Sequence, residues 1–175
     1  MNHAPFYSEM DSPVGTLWLL GDGELLRGLY MHEQRHRPEL PEGCERNDRA
    51  FRLVREQLKA YFAGKLQKFE VALEGEGSDF QKRVWKALCK IPFGATESYG
   101  GLAKSIGNAN ASRAVGLANG RNPIGIIVPC HRVVGANGSL TGYGGGLPRK
   151  QWLLEHERRY AASGRDVGSS LLSLR

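Results

Sequence analysis

The segment from Asn122 to Val134 constrains the fold of this chain more than any other. Its apolar run, Ile126 to Val128, predicts a strand-like segment that enters a core, and Pro129 ends any pairing because proline cannot donate to a β-ladder. Cys130 therefore lies where the backbone leaves the core. Because successive strand residues point to opposite faces, a proton can pass between Cys130 and the adjacent His131 only through a bend or a bridging water.

Cys130 has two interpretations on the dipeptide alone. A buried cysteine that acts as a small hydrophobic residue is the commoner one. The other is a nucleophile, which requires a neighbouring base or cation to favour the thiolate at neutral pH. His131 is the nearest candidate base, but a Cys-His pair by itself does not decide between the two.

The overall composition limits the class of protein. A chain of 175 residues, of which 41% are hydrophobic, can form one large domain or two small ones. No stretch approaches the ~20 apolar residues of a membrane span, and the N-terminus lacks the pattern of a signal peptide. Cys44, Cys89 and Cys130 are too widely spaced for a disulfide framework. We expect a cytoplasmic protein that does not contact a membrane.

Metal binding is not predicted. His3, His32 and His36 could be combined with Cys44, but they lie in loop-like sequence at irregular spacing, which favours solvated side chains.

The formal charge of +6 is unevenly distributed. Residues 1–75 contain 10 Lys or Arg and 12 Asp or Glu, whereas residues 76–160 contain 12 and 5. The second half therefore carries a basic surface, which favours nucleic acid as a partner, although a merely solvated surface explains a charge excess equally well.

The first half has the pattern of a small sheet followed by one helix. Three strands are predicted, at 6–10, 16–20 and 24–31, with a hairpin turn at Asp22-Gly23. A polar surface connection covers 32–47, and apolar residues at helical spacing then predict a helix capped by Asp48 and ended by Gly64. Residues 69–73 could form a further strand. No catalytic group is evident in this half.

The second half is predicted to be mainly helical. A helix capped by Ser78 or Asp79 continues to Ile91, with Trp85 in the core, and two short helices at 98–106 and 110–119 form a helix-turn-helix pattern. A last helix covers 149–157. We place the domain boundary between residues 75 and 76, the end of the second domain at 160, and a flexible tail at 161–175.

Small residues surround one long side chain in the second short helix. Ala111, Ser112 and Gly116 would let the backbone approach a DNA groove, and Arg113 could enter the base stack or reach a phosphate. Tight packing between helices explains the same small residues.

The longer motif around Cys130 resembles the O6-alkylguanine-DNA alkyltransferases. Pro129-Cys130-His131-Arg132-Val133-Val134 follows Asn122-Pro123 and precedes Thr141-Gly142-Tyr143-Gly144-Gly145-Gly146-Leu147, and the close match runs from about Asp79 to Glu157. The resemblance implies an α+β protein, with a small N-terminal α/β domain of the ribonuclease H-like type and a mostly helical C-terminal winged helix-turn-helix domain. It also implies DNA repair without a cofactor, by irreversible, stoichiometric transfer of the alkyl group from a flipped-out base to Cys130.

The resemblance assigns catalytic roles to individual residues. Glu157 would orient His131, which would take the Cys130 proton through water, and Asn122 would hold the cysteine-bearing segment in place. Tyr99 would contact the 3′ phosphate, lie beside the base and protonate the departing guanine.

The resemblance also assigns contacts to DNA and to the substrate base. Arg113 would fill the gap left by the extruded nucleotide, through the minor groove of double-stranded DNA bound by a monomer. Ala111, Ser112 and Gly116 would lie against the DNA. The guanine pocket would be lined by Asn119, Val133, Tyr143, Gly144 and Gly145. Many relatives carry a small hydroxyl residue where Gly144 stands here.

Two other function classes remain open on the residues alone. A DNA-binding module could recognise alkylated bases without repairing them, but relatives of that kind replace the cysteine. A cysteine hydrolase could use Cys130 and His131, but it gives no reason for the basic second half. The sequence leaves open the preferred alkyl group and whether O4-alkylthymine is also a substrate.

Overall fold

The computed structural model describes residues 4–163. Its strands are β1 (Phe6–Met10), β2 (Leu17–Gly21), β3 (Leu26–Met31), β4 (Glu45–Arg46), β5 (Glu97–Ser98) and β6 (Val133–Val134). Its helices are α1 (Arg52–Phe62), α2 (Asp79–Leu88), α3 (Tyr99–Ser105), α4 (Ser112–Gly120) and α5 (Leu147–Ala162), with 3-10 helices at Asp48–Phe51 and Cys130–Arg132. None of the helices within 4–163 is both long and apolar enough to cross a membrane.

The first half forms a four-stranded sheet in the order β3-β2-β1-β4. The three predicted strands are confirmed, and the antiparallel hairpin between β2 and β3 turns through Asp22, whose carboxylate accepts hydrogen bonds from the amides of Glu24 and Leu25. Strand β4, which runs parallel to β1, was not predicted because it is two exposed residues long and lies in the polar connection.

Helix α1 begins differently from the prediction and ends as predicted. Asn47, not Asp48, caps the 3-10 turn by accepting from the Ala50 amide, while the Asp48 carboxylate accepts from Ser8 Oγ. At the other end, the amides of Lys65 and Gly64 bind the carbonyls of Ala60 and Tyr61. This is a Schellman motif, and it requires the positive φ of 75° that Gly64 adopts.

The strand predicted at residues 69–73 is wrong. Only Leu73 forms an isolated bridge, to Leu26. The backbone of Glu70 is instead satisfied by one side chain, because Gln57 accepts from its amide at 2.9 Å and donates to its carbonyl at 3.0 Å. The segment therefore packs on α1, and its pairing with β3 is limited to the single bridge at Leu73.

The helices of the second half follow the sequence signals closely. Ser78 caps α2 in a reciprocal capping box with Gln81, and Ser98 caps α3. The buried Trp85 donates its indole N–H to the Ala118 carbonyl, which ties α2 to α4. α3 and α4 form the predicted helix-turn-helix, and the parallel pair β5-β6 lies beside it.

The apolar segment before Cys130 is a buried turn rather than the predicted strand. Ile124 makes one bridge to Leu29, and the chain then turns at Ile126, which is buried with a positive φ of 68°. The 3-10 helix starts at Cys130. The bend that the sequence required between Cys130 and His131 is thus supplied by this helical turn.

Helix α5 is longer than predicted at both ends. Glu157 lies inside it, 1% exposed, and not at its end. The helix continues to Ala162, so the predicted tail overlaps its last turn, and residues 164–175 of that tail lie outside the described residues. One hydrophobic cluster joins the two halves, since Leu29 of the sheet, Ile124, Val84 of α2 and Leu153 of α5 all belong to it.

Candidate active site

Cys130 lies in the wall of a cavity of about 650 Å³ between the helix-turn-helix, the glycine-rich loop 141–146 and residues 34–36. This volume is in the range of small-molecule binding pockets. Cys130 is 8% exposed, and burial raises the pKa of its thiol above the ordinary value, while the Asn122 side chain and the charge of Lys150 act in the opposite direction. The resting thiol therefore needs a base to become a nucleophile.

His131 is fully buried and its tautomer can be deduced from its partner. Its Nε2 lies 2.8 Å from Oε2 of Glu157. Burial alone would raise the pKa of Glu157, but the hydrogen bonds from His131 and Arg132 and the charge of Arg132 outweigh it and hold that pKa well below its usual range. An ionised carboxylate can only accept, so in the neutral imidazole Nε2 carries the proton and Nδ1 presents its lone pair. Nδ1 is buried and has no hydrogen-bond partner among residues 4–163.

Glu157 is held by three side chains and one backbone amide. Arg132 donates to Oε1 through Nε at 2.7 Å and to Oε2 through Nη2 at 3.0 Å. The Tyr61 hydroxyl donates to Oε2 at 2.7 Å, and the Gly94 amide lies 3.4 Å from Oε1. Because every acceptor position is occupied, the carboxylate cannot rotate, and neither can the imidazole that it orients.

Lys150 is a buried cation beside the thiol that our sequence analysis missed. Its Nζ donates to the carbonyls of Val133 and Thr141 at 2.6 and 2.8 Å, which ties α5 to β6 and to the glycine-rich loop. Burial lowers the pKa of Lys150 to about 8. At neutral pH the ammonium is still charged and favours the Cys130 thiolate.

Two asparagines hold the backbone that carries Cys130. Asn122 donates to the Val128 carbonyl at 2.8 Å and accepts from the Ile124 amide at 3.0 Å, which closes the turn through Ile126. Asn119 donates to the Cys130 carbonyl at 3.3 Å. Both side chains are buried and also line the cavity.

The structure brings most of the predicted site residues together. Besides Cys130, those that line the cavity are Tyr99, Ser112, Arg113, Gly116, Asn119, Asn122, Tyr143, Gly144 and Gly145. His131 and Glu157 lie behind Cys130 in the protein interior. Arg113 is exposed on α4 at the rim of the cavity, one turn before Leu117, which is 70% exposed.

Two predicted residues are placed elsewhere. Val133 does not line the cavity as expected, because its side chain is fully buried in the core and its backbone pairs with Glu97 in the β5-β6 ladder. Ala111 is the N-cap of α4 and packs in the core, with only 9% of its surface exposed. Within residues 4–163 no three His, Cys, Asp or Glu side chains are grouped as a metal site would require, and His3 lies outside that range.

Two family descriptions match nearly the whole chain. Residues 6–74 match the ribonuclease-like domain of 6-O-methylguanine DNA methyltransferase, and residues 79–159 match the DNA-binding domain of the same proteins. The chain belongs to this family. The family and fold class predicted from the sequence are therefore confirmed, as is the prediction of a methyltransferase that acts in DNA repair.

Similar members of the 6-O-methylguanine DNA methyltransferase family are found in Mycolicibacterium and in Methanosarcina. A methylated-DNA–protein-cysteine methyltransferase of Mycolicibacterium paratuberculosis is 56% identical over 155 residues, which is 89% of this chain and 93% of that protein. One from Methanosarcina acetivorans is 53% identical, over 87% of this chain and 97% of that protein.

Solved structures of family members agree with the fold. The O6-methylguanine methyltransferase of Mycobacterium tuberculosis matches with a TM-score of 0.83 and 54% identity, over 89% of this chain and 93% of that one. The structure of Mycobacterium tuberculosis OGT in complex with DNA matches with a TM-score of 0.81 and 53% identity, over 89% and 94%.

Sequence reasoning missed four residues of this family member's site: Tyr61, Arg132, Lys150 and Gln34. Arg132 stands inside the quoted motif, and its charge next to His131 was the one local signal. Tyr61 follows the apolar spacing of a helix and Lys150 stands beside another basic residue, so the local sequence of neither indicates a role in the site. Gln34 lies in the polar connection that was assigned to the surface.

Proposed function

We propose that this chain reverses alkylation damage by moving the alkyl group from O6 of a flipped-out guanine in DNA to Sγ of Cys130. The assignment of residues rests on His131 Nδ1, which has no hydrogen-bond partner among the described residues 4–163 and whose lone pair is exposed by the bond from Nε2 to Glu157. A base held in one tautomer beside a buried thiol is the arrangement that nucleophilic catalysis by cysteine requires.

The transfer is a displacement at the alkyl carbon. His131 Nδ1 takes the thiol proton through one water, and Glu157 stabilises the imidazolium. Sγ then forms a bond to the alkyl carbon while the bond from carbon to O6 breaks, and its electron pair leaves with guanine. Tyr99 protonates the departing base and then takes a proton from solvent. His131 releases to solvent the proton that it took from the thiol. The thioether has no sulfur-sulfur bond for exchange to attack, so each molecule acts once.

The position of Tyr99 in the cavity wall supports this role. Its hydroxyl oxygen lies 3.3 Å from Thr141 Oγ1, and because a hydroxyl can rotate, it can donate to a base that occupies the cavity. Phosphate contacts and stabilisation of the flipped base are the further roles we assign to this residue and to Arg113.

DNA approaches the side of the cavity formed by α4. A base within a duplex cannot present its O6 group to a buried thiol, and flipping costs a few kcal/mol. Arg113 enters the stack from the minor groove and offsets part of that cost, while Ser112 and Gly116 permit close approach of the backbone. Ala111 supports this surface from beneath. We further propose that residues 1–75 and 76–160 are the two domains and that a cytoplasmic monomer carries out the repair.

The test is mass spectrometry of the tryptic peptide from Asn122 to Arg132 after incubation with a duplex that contains one O6-methylguanine. We expect one methyl group on Cys130, in a 1:1 ratio to the protein, and none in Cys130→Ser. Tight binding to the damaged duplex with an unmodified peptide would refute the transfer and leave a damage-binding module. Repeated turnover without a modified peptide would indicate a hydrolase.

A further inference from the structure

One wall of the active-site cavity comes from the N-terminal half of the chain. The Arg35 amide donates to the Gly144 carbonyl at 2.9 Å, and Arg149 donates to the His32 carbonyl at 2.7 Å and to the Gly145 carbonyl at 3.4 Å. The segment after β3 and the glycine-rich loop are therefore joined by one backbone hydrogen bond and by the Arg149 side chain, which bridges carbonyls of both. Gln34, Arg35 and His36 all line the cavity that contains Cys130.

The orientation of the Gln34 amide is determined by the backbone. Its Oε1 accepts from the Met31 amide at 2.9 Å. A backbone N–H can only donate, so the oxygen of the side chain must face it and Nε2 must take the other position. Nε2 has no acceptor among residues 4–163, and Gln34 is half-buried in the cavity wall. The amide thus presents N–H donors at this point of the cavity.

Gly144 has no side chain to occupy the part of the cavity where Gln34 lies. A Cβ on Gly144 would lie 3.4 Å from Cγ of Gln34 and 3.6 Å from its Nε2. A side chain at position 144 would consequently meet Gln34 and compete with it for the same part of the cavity. With glycine there, the polar side chain at this point is supplied by the other half of the chain.

We propose that Gln34 reads the substrate base, by donating a hydrogen bond from Nε2 to N7 of the flipped O6-alkylguanine. This inference rests on the function proposed above. On guanine, O6 is flanked by N1 on one side and N7 on the other, and N7 is an acceptor. With the alkyl group directed to Cys130, one of these two sides faces the glycine-rich loop, and the proposal assigns to it the N7 side, next to Gln34. O4-alkylthymine has no nitrogen at the corresponding position, so the same contact selects the purine lesion.

The experiment removes N7 and the donor separately. Single-turnover rates are measured on two duplexes that differ in one atom, with O6-methylguanine or O6-methyl-7-deazaguanine. The proteins are the wild type, Gln34→Met, Gln34→Glu and the control Gln151→Met, which removes an exposed glutamine on α5 that is outside the cavity wall. Gln34→Glu keeps an acceptor for the Met31 amide, so it preserves the local backbone while it removes the donor.

The decisive quantity is the rate on O6-methylguanine divided by the rate on O6-methyl-7-deazaguanine. A variant with altered affinity for DNA changes both rates of that protein, and the altered leaving group of the deaza base changes this ratio equally in all four proteins. We expect the ratio to be about five to ten times larger in the wild type and in Gln151→Met than in the two Gln34 variants, as the loss of one hydrogen bond implies. The rate on O4-methylthymine should change little in those variants.

An equal ratio in all four proteins would overturn the inference, even if the Gln34 variants were slower overall. That result would leave the proposed function intact, because methylation of Cys130 in the wild type is scored in the same reactions. Absence of Cys130 methylation in the wild type on both duplexes would instead refute the proposed function.

Discussion

Replacing Glu157 by glutamine separates the two tasks of this carboxylate, orienting His131 and neutralising Arg132. The Glu157 oxygens are approached by five donors, namely the Tyr61 hydroxyl, the Gly94 amide, His131 Nε2, and Nε and Nη2 of Arg132. A glutamine offers a single acceptor oxygen, and its amine must face one or more of these donors. The Glu157→Gln variant therefore loses the fixed tautomer of His131 together with a buried ion pair.

The size of both effects follows from the burial. Glu157 is 1% exposed and Arg132 is 6% exposed, so the buried arginine charge loses the carboxylate that balances it and keeps the Ile91 carbonyl as an acceptor. Breaking a buried pair in this way costs about 3–5 kcal/mol in the free energy of unfolding. A general base contributes roughly 10²- to 10⁴-fold to a rate, and the wrong tautomer removes that contribution. We expect the single-turnover rate of methyl transfer to fall by about 10²-fold or more.

The assay pairs the transfer rate with urea unfolding on the same samples. Glu155→Gln is the matched control, because Glu155 is exposed on the same helix and, among residues 4–163, accepts a hydrogen bond from Gln151 alone. Its rate and stability should equal those of the wild type. A Glu157→Gln protein that is destabilised as expected but transfers methyl within about twofold of the wild-type rate would refute the role of Glu157 in orienting His131.

The stabilisation lost in Glu157→Gln should depend on pH. The pKa of Glu157 is lowered in the folded protein from an ordinary value of 4.5. A carboxyl group with a lowered pKa stabilises the fold fully above its unfolded pKa and loses that contribution as the pH falls towards its folded pKa. The difference in unfolding free energy between wild type and Glu157→Gln should thus be constant above about pH 5 and shrink progressively below pH 4.5. A difference that does not change with pH in this range would contradict the ionised state of the buried carboxyl group.

Two further variants test the neighbouring charges. Lys150→Met removes a cation whose pKa is lowered from 10.5 to about 8 in the folded protein. The free energy of unfolding of the wild type, measured with urea, should therefore rise relative to that of the variant between pH 8 and pH 10.5. A fall over this interval would contradict the lowered pKa. Arg113→Ala should slow transfer from a duplex by roughly 10²-fold, because it removes the offset to base flipping, while transfer from free O6-benzylguanine stays near the wild-type rate. Equal losses on both substrates would show that Arg113 acts within the cavity instead.

The parts of the fold that the sequence predicted are those with a local cause. The alternation in residues 6–31, the Ser78 cap of α2, and Gly64 after α1 all act within a few residues of themselves. The apolar run before Pro129 could not be assigned in this way, since a short apolar run is compatible with a strand or with a buried turn. The turn is selected by the side chain of Asn122, which binds backbone groups on both sides of it.

The supports of the active site are different, because they join distant parts of the chain. Tyr61 reaches Glu157 across 96 residues and the Gln34 segment reaches the glycine-rich loop across about 110, and neither pair leaves a pattern in the local sequence. Cys130, His131 and Glu157 were found through a family motif, and only the structure supplied the tautomer. The polar connection at 32–47 was assigned to the surface on composition, which does not distinguish a solvated loop from the wall of a cavity.

The resting state of Cys130 fits a protein that can react only once. Burial raises the pKa of the thiol, so the proton stays on sulfur while the cavity is open, and an un-ionised thiol reacts poorly with chance electrophiles. Glu157 and Arg132 are already charge-balanced behind His131, which means that the proton transfer creates just one new ion pair, between thiolate and imidazolium. Lys150 favours the anionic member of that pair. In the function proposed above, a flipped base that fills the cavity would exclude water and bring the alkyl carbon to that ion pair, so reactivity would be coupled to the arrival of the substrate.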